Sequence, residues 1–265
     1  MMLELNKVYL WDCIELMKQI PDNSIDCCIT DCPYKIIAWW VRIVDEWDEC
    51  SWVLAKRDYS KTDQKWVLWR WRKVVSDWTA CSNKRLKKNE NDIVSAVKNW
   101  KMFTHNDIQF SDWLPELYRI MKPKTHTYIM INGRNLKDLQ IECEKVWFKY
   151  QNLLVREKWN YTPNKYYMQW AEFILMLSKK WSRNINNMWS KNIIKIPNII
   201  WKKQHPTEKP VELYNQLLLN STDEWDIVVD PFAWVWPIIS SCKENNRKYI
   251  AIDIDQEYYD IAVAK

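Results

Sequence analysis

Four consecutive residues, Asp31, Cys32, Pro33 and Tyr34, bring a carboxylate, a thiol and an aromatic ring to the end of an apolar segment. That segment, residues 25–30, is predicted to be a buried strand. Ligands of open α/β sheets bind beyond the carboxyl ends of strands, so these four residues are expected to line a site. The carboxylate can accept hydrogen bonds and the ring can stack on a planar group. An ordinary strand-to-turn exit is the competing interpretation of four residues taken alone.

Two more carboxylates have the spacing of a nucleoside site. Asp230 ends a predicted strand, and Asp253 lies 23 residues farther along, at the end of the next one. In Rossmann-like folds a carboxylate about 20 residues beyond the first turn binds ribose hydroxyls. The phosphate-binding pattern G-x-G-x-x-G is absent from the sequence, which fits a ligand without phosphates. A solvated surface carboxylate is the alternative for Asp253, and the paired spacing favours the ribose.

The elements that must position these residues alternate between strands and helices. Short apolar segments predict strands over residues 7–10, 25–30, 127–131, 150–155, 172–177, 226–230 and 248–252. Apolar residues at helical spacing predict helices over 13–20 and 114–121, and two more are expected over 211–219 and 238–244. This alternation is typical of a doubly wound α/β sheet, here in a single domain over residues 1–265.

Residues 35–106 interrupt this alternation. Within 51–100 there are 12 Lys and Arg residues against 5 Asp and Glu residues, with weak periodicity. A long segment of this kind inside a domain is usually functional or disordered. We therefore predict a basic insertion that contacts DNA phosphates, and a solvated insertion fits the charge equally well.

The glycine content is abnormal. The chain has one glycine and 20 tryptophans, whereas ordinary usage predicts roughly 19 glycines. Several tryptophans, such as Trp47, Trp181 and Trp225, lie in polar, turn-like contexts that suit glycine. We hypothesise that most of them occupy glycine positions, as when a gene that reads UGA as glycine is translated as tryptophan. The alternative is a truly tryptophan-rich protein whose rings stack on bases. Trp113, within an amphipathic helix pattern, is expected to be a genuine core tryptophan.

Composition limits the remaining classes. A formal charge of +5 suits a nucleic-acid partner without being specific for one. No signal-like segment or membrane-length apolar run is present, so a cytoplasmic location without a membrane partner is expected. Eight cysteines without C-x-x-C spacing predict reduced thiols. The three histidines, His105, His126 and His205, lack ligand spacing, so no metal site is expected.

The tetrapeptide Asp31-Cys32-Pro33-Tyr34 resembles the D-P-P-Y motif of amino-directed DNA methyltransferases. In that family the acidic side chain and the following carbonyl accept hydrogen bonds from the target amine, and the tyrosine stacks on a flipped base. An exocyclic amine is a poor nucleophile because its lone pair is delocalised, and two acceptors favour a more tetrahedral nitrogen. Cys32 replaces a proline, so φ is not fixed there. It is not expected to be a nucleophile, because cytosine-C5 enzymes use the order Pro-Cys.

Three C-terminal segments extend the resemblance. Residues 205–213, 226–236 and 249–258 resemble the H-P-T-E-K-P, D-P-F-x-G-x-G and I-E/D-I-D-x-E-Y motifs, which follow the catalytic motif in the permuted subclass. Residues 160–167 also resemble a loop near the target base, and packing of their aromatic side chains against the sheet is the alternative. The resemblance covers nearly the whole chain and is weakest over 35–105. It implies a Rossmann-like class I S-adenosyl-L-methionine-dependent methyltransferase with a mostly parallel seven-stranded sheet and one reversed strand near 172–177.

The resemblance also implies the cofactor-binding residues, which are Asp12, Thr207, Lys209, Asp230, Phe232, Ala233, Trp234, Trp236 and Asp253. Asp12 would approach the adenine of the cofactor, although Asp12 with Glu15 equally fits a helix N-cap and capping box. Lys209 could instead be a solvated charge at a helix entry. Trp234 and Trp236 stand where the family has glycines that let the backbone approach the cofactor, and Pro237 follows them. Such indoles are expected to obstruct the cofactor.

The resemblance implies methyl transfer from S-adenosyl-L-methionine to N6 of a flipped adenine in double-stranded DNA. Cytosine N4 is the close alternative, because both bases present an amino group. An inactive DNA-binding relative is a further alternative, suggested by the two indoles, Cys32 and Pro237. An RNA or protein methyltransferase is another. A cognate restriction endonuclease is a candidate partner, and the sequence does not indicate the oligomeric state.

Overall fold

The structure is a computed structural model that describes residues 3–33, 108–162, 167, 169–199, 208–234 and 237–263. The predicted insertion at 35–106 lies outside the described residues. So do three predicted site residues, Tyr34, Thr207 and Trp236, and residues 163–166 of the predicted target-base loop. The part that is described contains the three strand ends, at Asp31, Asp230 and Asp253, on which the site predictions depend.

Within the described residues, eight strands form one sheet in the order β1-β8-β7-β2-β3-β5-β4-β6. The strands are β1 (Lys7–Leu10), β2 (Ile25–Asp31), β3 (Met121–Ile131), β4 (Phe148–Thr162), β5 (Gln169–Lys179), β6 (Ile193–Lys195), β7 (Ile227–Asp230) and β8 (Lys248–Asp253). The described helices are α1 (Cys13–Met17), α2 (Phe110–Ile120), α3 (Leu136–Lys145), α4 (Val211–Ser221), α5 (Pro237–Glu244) and α6 (Gln256–Val263).

Strand directions follow the predicted pattern. The pairs β1–β8, β8–β7, β7–β2 and β2–β3 are parallel, whereas β5 runs antiparallel to both β3 and β4. The mostly parallel α/β fold and its one reversed strand are therefore confirmed. The strand count is corrected from seven to eight, because β6 pairs with β4 through only three residues and leaves no pattern in the sequence.

Two hydrophobic layers cover the two faces of the sheet. One layer contains the apolar sides of α1, α2 and α3, including the fully buried Trp113, which was predicted to lie in the core. The other contains those of α4, α5 and α6. The central strand β2 contributes to both layers, with Cys28 on one face and Cys27 and Ile29 on the other. Burial on both faces explains why its sequence is continuously apolar.

Several tryptophans occupy conformations that suit glycine better. Trp147 and Trp225 have φ values of 74° and 72°, in the left-handed region that disfavours large side chains. Their side chains are 71% and 64% exposed, so they have no packing role that would require an indole. Trp181 and Trp189 are more exposed still. This pattern supports the hypothesis that tryptophan stands at glycine positions here.

The one glycine of the sequence, Gly133, lies just after β3. A Cβ atom placed there would be 3.0 Å from the ring of Phe173. The close approach explains why a side chain is disfavoured at this position. Within the ranges that the structure describes, no helix is both long and apolar enough to cross a membrane.

Candidate active site

Four predicted carboxylates lie at one edge of the sheet. Asp253, Asp230 and Asp31 end the parallel strands β8, β7 and β2, and Asp12 follows the end of β1. These four strands are consecutive neighbours in the sheet. Because parallel strands present their carboxyl ends at the same edge, the fold brings together residues that are up to 241 positions apart in the chain.

Asp31 is partly buried and paired with a cation. Its side chain is 13% exposed, and its Oδ2 lies 3.0 Å from the Lys209 Nζ. Burial raises the pKa of the Asp31 carboxyl, and the neighbouring Lys209 ammonium opposes that rise. The structure therefore places Lys209, predicted to lie on the cofactor side, directly against the predicted catalytic carboxylate.

Sequence reasoning missed a cluster of buried charges beside this pair. Glu172 on β5 accepts a 2.7 Å hydrogen bond from Arg156 on β4, its cross-strand partner, and Lys158 lies 3.4 Å away. The Lys209 Nζ is 3.8 Å from the same Glu172 carboxylate. Burial acts to raise the pKa of Glu172, but the surrounding cations outweigh it and lower this pKa to about 2. The sequence signal that could have indicated this cluster is the presence of charged residues within two otherwise half-buried strands.

Cys32 and Pro33 are buried at the exit from β2. The Cys32 Sγ lies 3.7 Å from the Met130 carbonyl oxygen, so the thiol faces β3. Burial raises the pKa of this thiol well above its ordinary value, with the charge of Asp31 adding to the effect. A protonated, buried thiol is a poor nucleophile, which agrees with the expectation for Cys32.

The loop after β7 is held at the same edge. The Phe232 backbone N–H donates to the Asp230 Oδ1 at 3.1 Å, and the Ala233 N–H donates to the Ile252 carbonyl at 2.8 Å. Burial raises the pKa of Asp230 to about 7. The ring of Phe232 packs edge-on against Trp113, with centroids 5.1 Å apart. These contacts hold the predicted cofactor turn, which follows β7, against the end of β8.

Asp253 carries an unused acceptor. Its Oδ1 accepts from the Asp255 backbone N–H at 2.8 Å, but its Oδ2 is buried with no hydrogen-bond partner among the described residues. Burial raises the pKa of Asp253 to about 6. A buried acceptor without a donor costs free energy, and ribose hydroxyls are suitable donors. The carboxylates of this edge therefore fit the nucleoside part of S-adenosyl-L-methionine.

Trp234 does not fit such a ligand. Its indole Nε1 donates a 2.6 Å hydrogen bond to the backbone carbonyl of Asp31, so the side chain extends from the loop after β7 to the end of β2. An indole in this position fills space between the cofactor turn and the predicted catalytic carboxylate. Glycine would leave that space open, as the resemblance to the D-P-F-x-G-x-G motif implies.

Asp12 acts as the N-cap of α1. Its Oδ1 accepts from the backbone N–H groups of Ile14 and Glu15, at 2.9 and 3.1 Å. The Glu15 side chain forms an exposed ion pair with Lys18. The capping role expected of Asp12 is confirmed, and its approach to a cofactor stays a prediction.

The described histidine, His126, is a buried structural residue. Its ring nitrogens contact the hydroxyls of Ser221 and Ser182, at 2.8 and 2.7 Å. Burial lowers its pKa. Over the described ranges there is no cluster of three His, Cys, Asp or Glu side chains that could hold a metal ion.

Comparison with known proteins places this arrangement in a family. The sequence profile of the DNA methylase family N6_N4_Mtase matches residues 25–264. The type II methyltransferase M.HpaI of Haemophilus parainfluenzae is 27% identical over 94% of this chain and 70% of its own length. The crystal structure of the M1.HpyAVI–SAM complex aligns with a TM-score of 0.61 and 18% identity, over 97% of this chain and 98% of the other.

A second solved structure has the same fold. The PvuII DNA methyltransferase, described as cytosine-N4-specific, aligns with a TM-score of 0.60 and 13% identity over 99% of this chain and 86% of its own. The expected class I methyltransferase fold is thereby confirmed. With a profile match that spans most of its length, this chain belongs to the N6_N4_Mtase family of DNA methylases.

Proposed function

We propose that this chain methylates the N6 amino group of adenine in double-stranded DNA. The observation that carries the proposal is the position of Asp31, a carboxylate paired with Lys209 at the carboxyl end of β2. The cofactor turn follows β7, which is the strand next to β2 in the sheet. S-adenosyl-L-methionine, when bound, supplies an electrophilic methyl group on its sulfonium.

The chain's own contribution is to bind and orient the amine. Asp31 and the Cys32 carbonyl accept its two N–H groups, which draws the nitrogen lone pair out of conjugation with the ring. Pro33 shapes the turn, and Tyr34 stacks on the extruded base and offsets part of the few kcal/mol that flipping costs. The motif's initial aspartate favours adenine over cytosine.

The cofactor site is built from the other strand ends. Asp253 offers its buried Oδ2 to the ribose hydroxyls. Asp230, Phe232 and Ala233 line the turn beside it, and Asp12 lies one strand farther along the edge. Thr207, Lys209, Trp234 and Trp236 complete the predicted set.

Two alternatives have specific support. Cytosine N4 presents the same kind of amine, and the PvuII enzyme of similar fold is described as specific for it. An inactive DNA-binding relative is favoured by the Trp234 indole, which occupies the space beside Asp31. Type II relatives such as M.HpaI also make a cognate restriction endonuclease a candidate partner.

Mass spectrometry of nucleosides tests the proposal. Unmethylated plasmid DNA is incubated with deuteromethyl-labelled S-adenosyl-L-methionine and either the written chain or its Trp234→Gly/Trp236→Gly variant. Labelled N6-methyladenine supports the proposal, and labelled N4-methylcytosine supports the first alternative. A variant that binds the cofactor yet leaves both bases unlabelled refutes both and favours the inactive relative.

A further inference from the structure

We propose that Lys209 is a positioning residue for the amine-binding carboxylate of Asp31, and that Glu172, anchored by Arg156, holds Lys209 in place. This inference rests on the proposed role of Asp31. None of these three side chains need touch the target base. They would act by fixing the charge and orientation of the group that does.

Strand register explains how the cluster assembles. Asp31 is paired with Met130, and Met130 is paired with Ile174 on β5. Glu172 is two residues from Ile174, so it lies on the same face of the sheet as Asp31, because side chains alternate along a strand. The Arg156 side chain shares this face because Arg156 is paired with Glu172. Lys209 precedes α4, which packs on this face, and its ammonium therefore reaches both carboxylates.

Arg156 makes the cluster rigid. Its side chain is fully buried and donates hydrogen bonds to four acceptors: the Ile196 and Pro197 carbonyls, the Asn198 Oδ1 and the Glu172 Oε2. A guanidinium bonded on all sides has one orientation. Glu172, which is the second anion that faces Lys209, is consequently fixed in position. An ammonium on a flexible four-carbon stem gains a defined position between two fixed carboxylates.

The arrangement meets two needs of an amine acceptor. A buried carboxylate tends to hold a proton, and a protonated oxygen would face the amine with a donor instead of an acceptor. The Lys209 ammonium opposes protonation and bonds Oδ2, which leaves Oδ1 to the amine. In the part of the chain that the structure describes, the charged or titratable groups that face Asp31 are Lys209 before α4, Glu172 on β5, Arg156 on β4, Asp230 on β7, Tyr214 on α4 and the adjacent Cys32.

Carbon-13 NMR of carboxyl-labelled aspartate tests the role of Lys209 without requiring activity. The Asp31 resonance is assigned by its loss in Asp31→Asn, and its titration is followed in each full-length variant. Lys209→Met is expected to move the Asp31 titration to higher pH, because it removes the nearest cation. Lys158→Met is the matched control, since Lys158 is similarly buried and contacts Glu172 but not Asp31. An unmoved Asp31 titration in Lys209→Met, or an equal shift in Lys158→Met, overturns the proposal.

Glu172→Gln tests the second half of the proposal. It removes a negative charge near Asp31, so the Asp31 titration is expected to move to lower pH. In the Trp234→Gly/Trp236→Gly background, the rate of methyl transfer should nevertheless fall by about tenfold, because Lys209 loses its second anchor. A fall in rate together with a more readily ionised Asp31 separates positioning from simple protonation. An unchanged rate refutes the role of Glu172.

The same experiment separates this inference from the proposed function. If Asp31→Asn in the Trp234→Gly/Trp236→Gly background keeps full methyl transfer, the proposed role of Asp31 fails whatever the titrations show. If Asp31→Asn is inactive but Lys209→Met titrates like the parent chain, only the positioning role fails. Circular dichroism of each variant confirms that the fold is retained.

Discussion

Replacing the two indoles of the cofactor turn by glycine is expected to create cofactor binding. In the double variant Trp234→Gly/Trp236→Gly, the hydrogen bond from the Trp234 Nε1 to the Asp31 carbonyl is lost. That loss costs about 1 kcal/mol, and added backbone freedom costs about 0.5–1 kcal/mol for each glycine. The variant without ligand should therefore be less stable than the written chain by about 2–3 kcal/mol.

Bound S-adenosyl-L-methionine should reverse this loss. At a ligand concentration of 100 times Kd, binding stabilises the native state by about 2.7 kcal/mol. For a domain of this size each kcal/mol corresponds to about 2–4 °C in Tm, so the variant should show a cofactor-dependent rise of about 5–10 °C. The written chain should show none. The Asp253 Oδ2 is available in both chains, so the two indoles are the only intended difference.

Calorimetry and thermal denaturation with and without S-adenosyl-L-methionine measure this effect. Trp189→Gly is the matched control, because it makes the same exchange at a side chain that is 93% exposed and belongs to the segment between β5 and β6. It should leave cofactor binding as it is in the parent. A folded double variant that gives no heat and no thermal shift would refute the reasoning, and so would tight binding by the written chain.

Three further predictions follow from the site and the backbone. In the Trp234→Gly/Trp236→Gly background, Asp31→Asn should lower kcat for methyl transfer by about 100-fold or more while S-adenosyl-L-methionine still binds. Single-turnover kinetics and calorimetry measure the two effects. A loss smaller than about tenfold would contradict the acceptor role. Burial raises the pKa of Asp230 to about 7, so its stabilising contribution is complete below the unfolded pKa near 4 and is lost as pH rises through 7. Urea denaturation of Asp230→Asn should therefore show a gain relative to the parent, on the order of 4 kcal/mol between pH 4 and pH 8, and a pH-independent difference would refute this pKa. Trp147→Gly and Trp225→Gly should each raise the free energy of unfolding by about 1 kcal/mol, because φ is positive at both positions. Trp113→Gly should instead lower it by at least about 3 kcal/mol, because this side chain is fully buried. Destabilisation by all three substitutions would contradict the glycine hypothesis.

The sequence was sufficient to predict the strands that carry the site. Continuous apolar segments such as β2 and β8 are buried on both faces, so their positions could be read to within a residue or two. The ends of those strands then placed Asp31, Asp230 and Asp253 at one edge. Helices α3 and α6 were not predicted, since only two residues of α3 and one of α6 are fully buried and their apolar patterns are correspondingly weak.

The sequence did not reveal the partners of Asp31. Lys209 is 178 positions away from Asp31, and Glu172 and Arg156 lie on strands separated from β2 by β3. Nothing in local spacing encodes contacts that depend on strand order and register. The reach of the Trp234 indole across to β2 is equally a property of the folded chain, although the conflict at this position was visible from the motif.

The edge-on contact between Trp113 and Phe232 gives the molecule a built-in optical reporter. Trp113 is the one fully buried indole among the described residues, and its aromatic neighbour lies in the loop that follows β7. Its fluorescence should be emitted at shorter wavelength than that of the solvent-exposed indoles. Any ligand that shifts Phe232 should therefore alter the short-wavelength part of the emission.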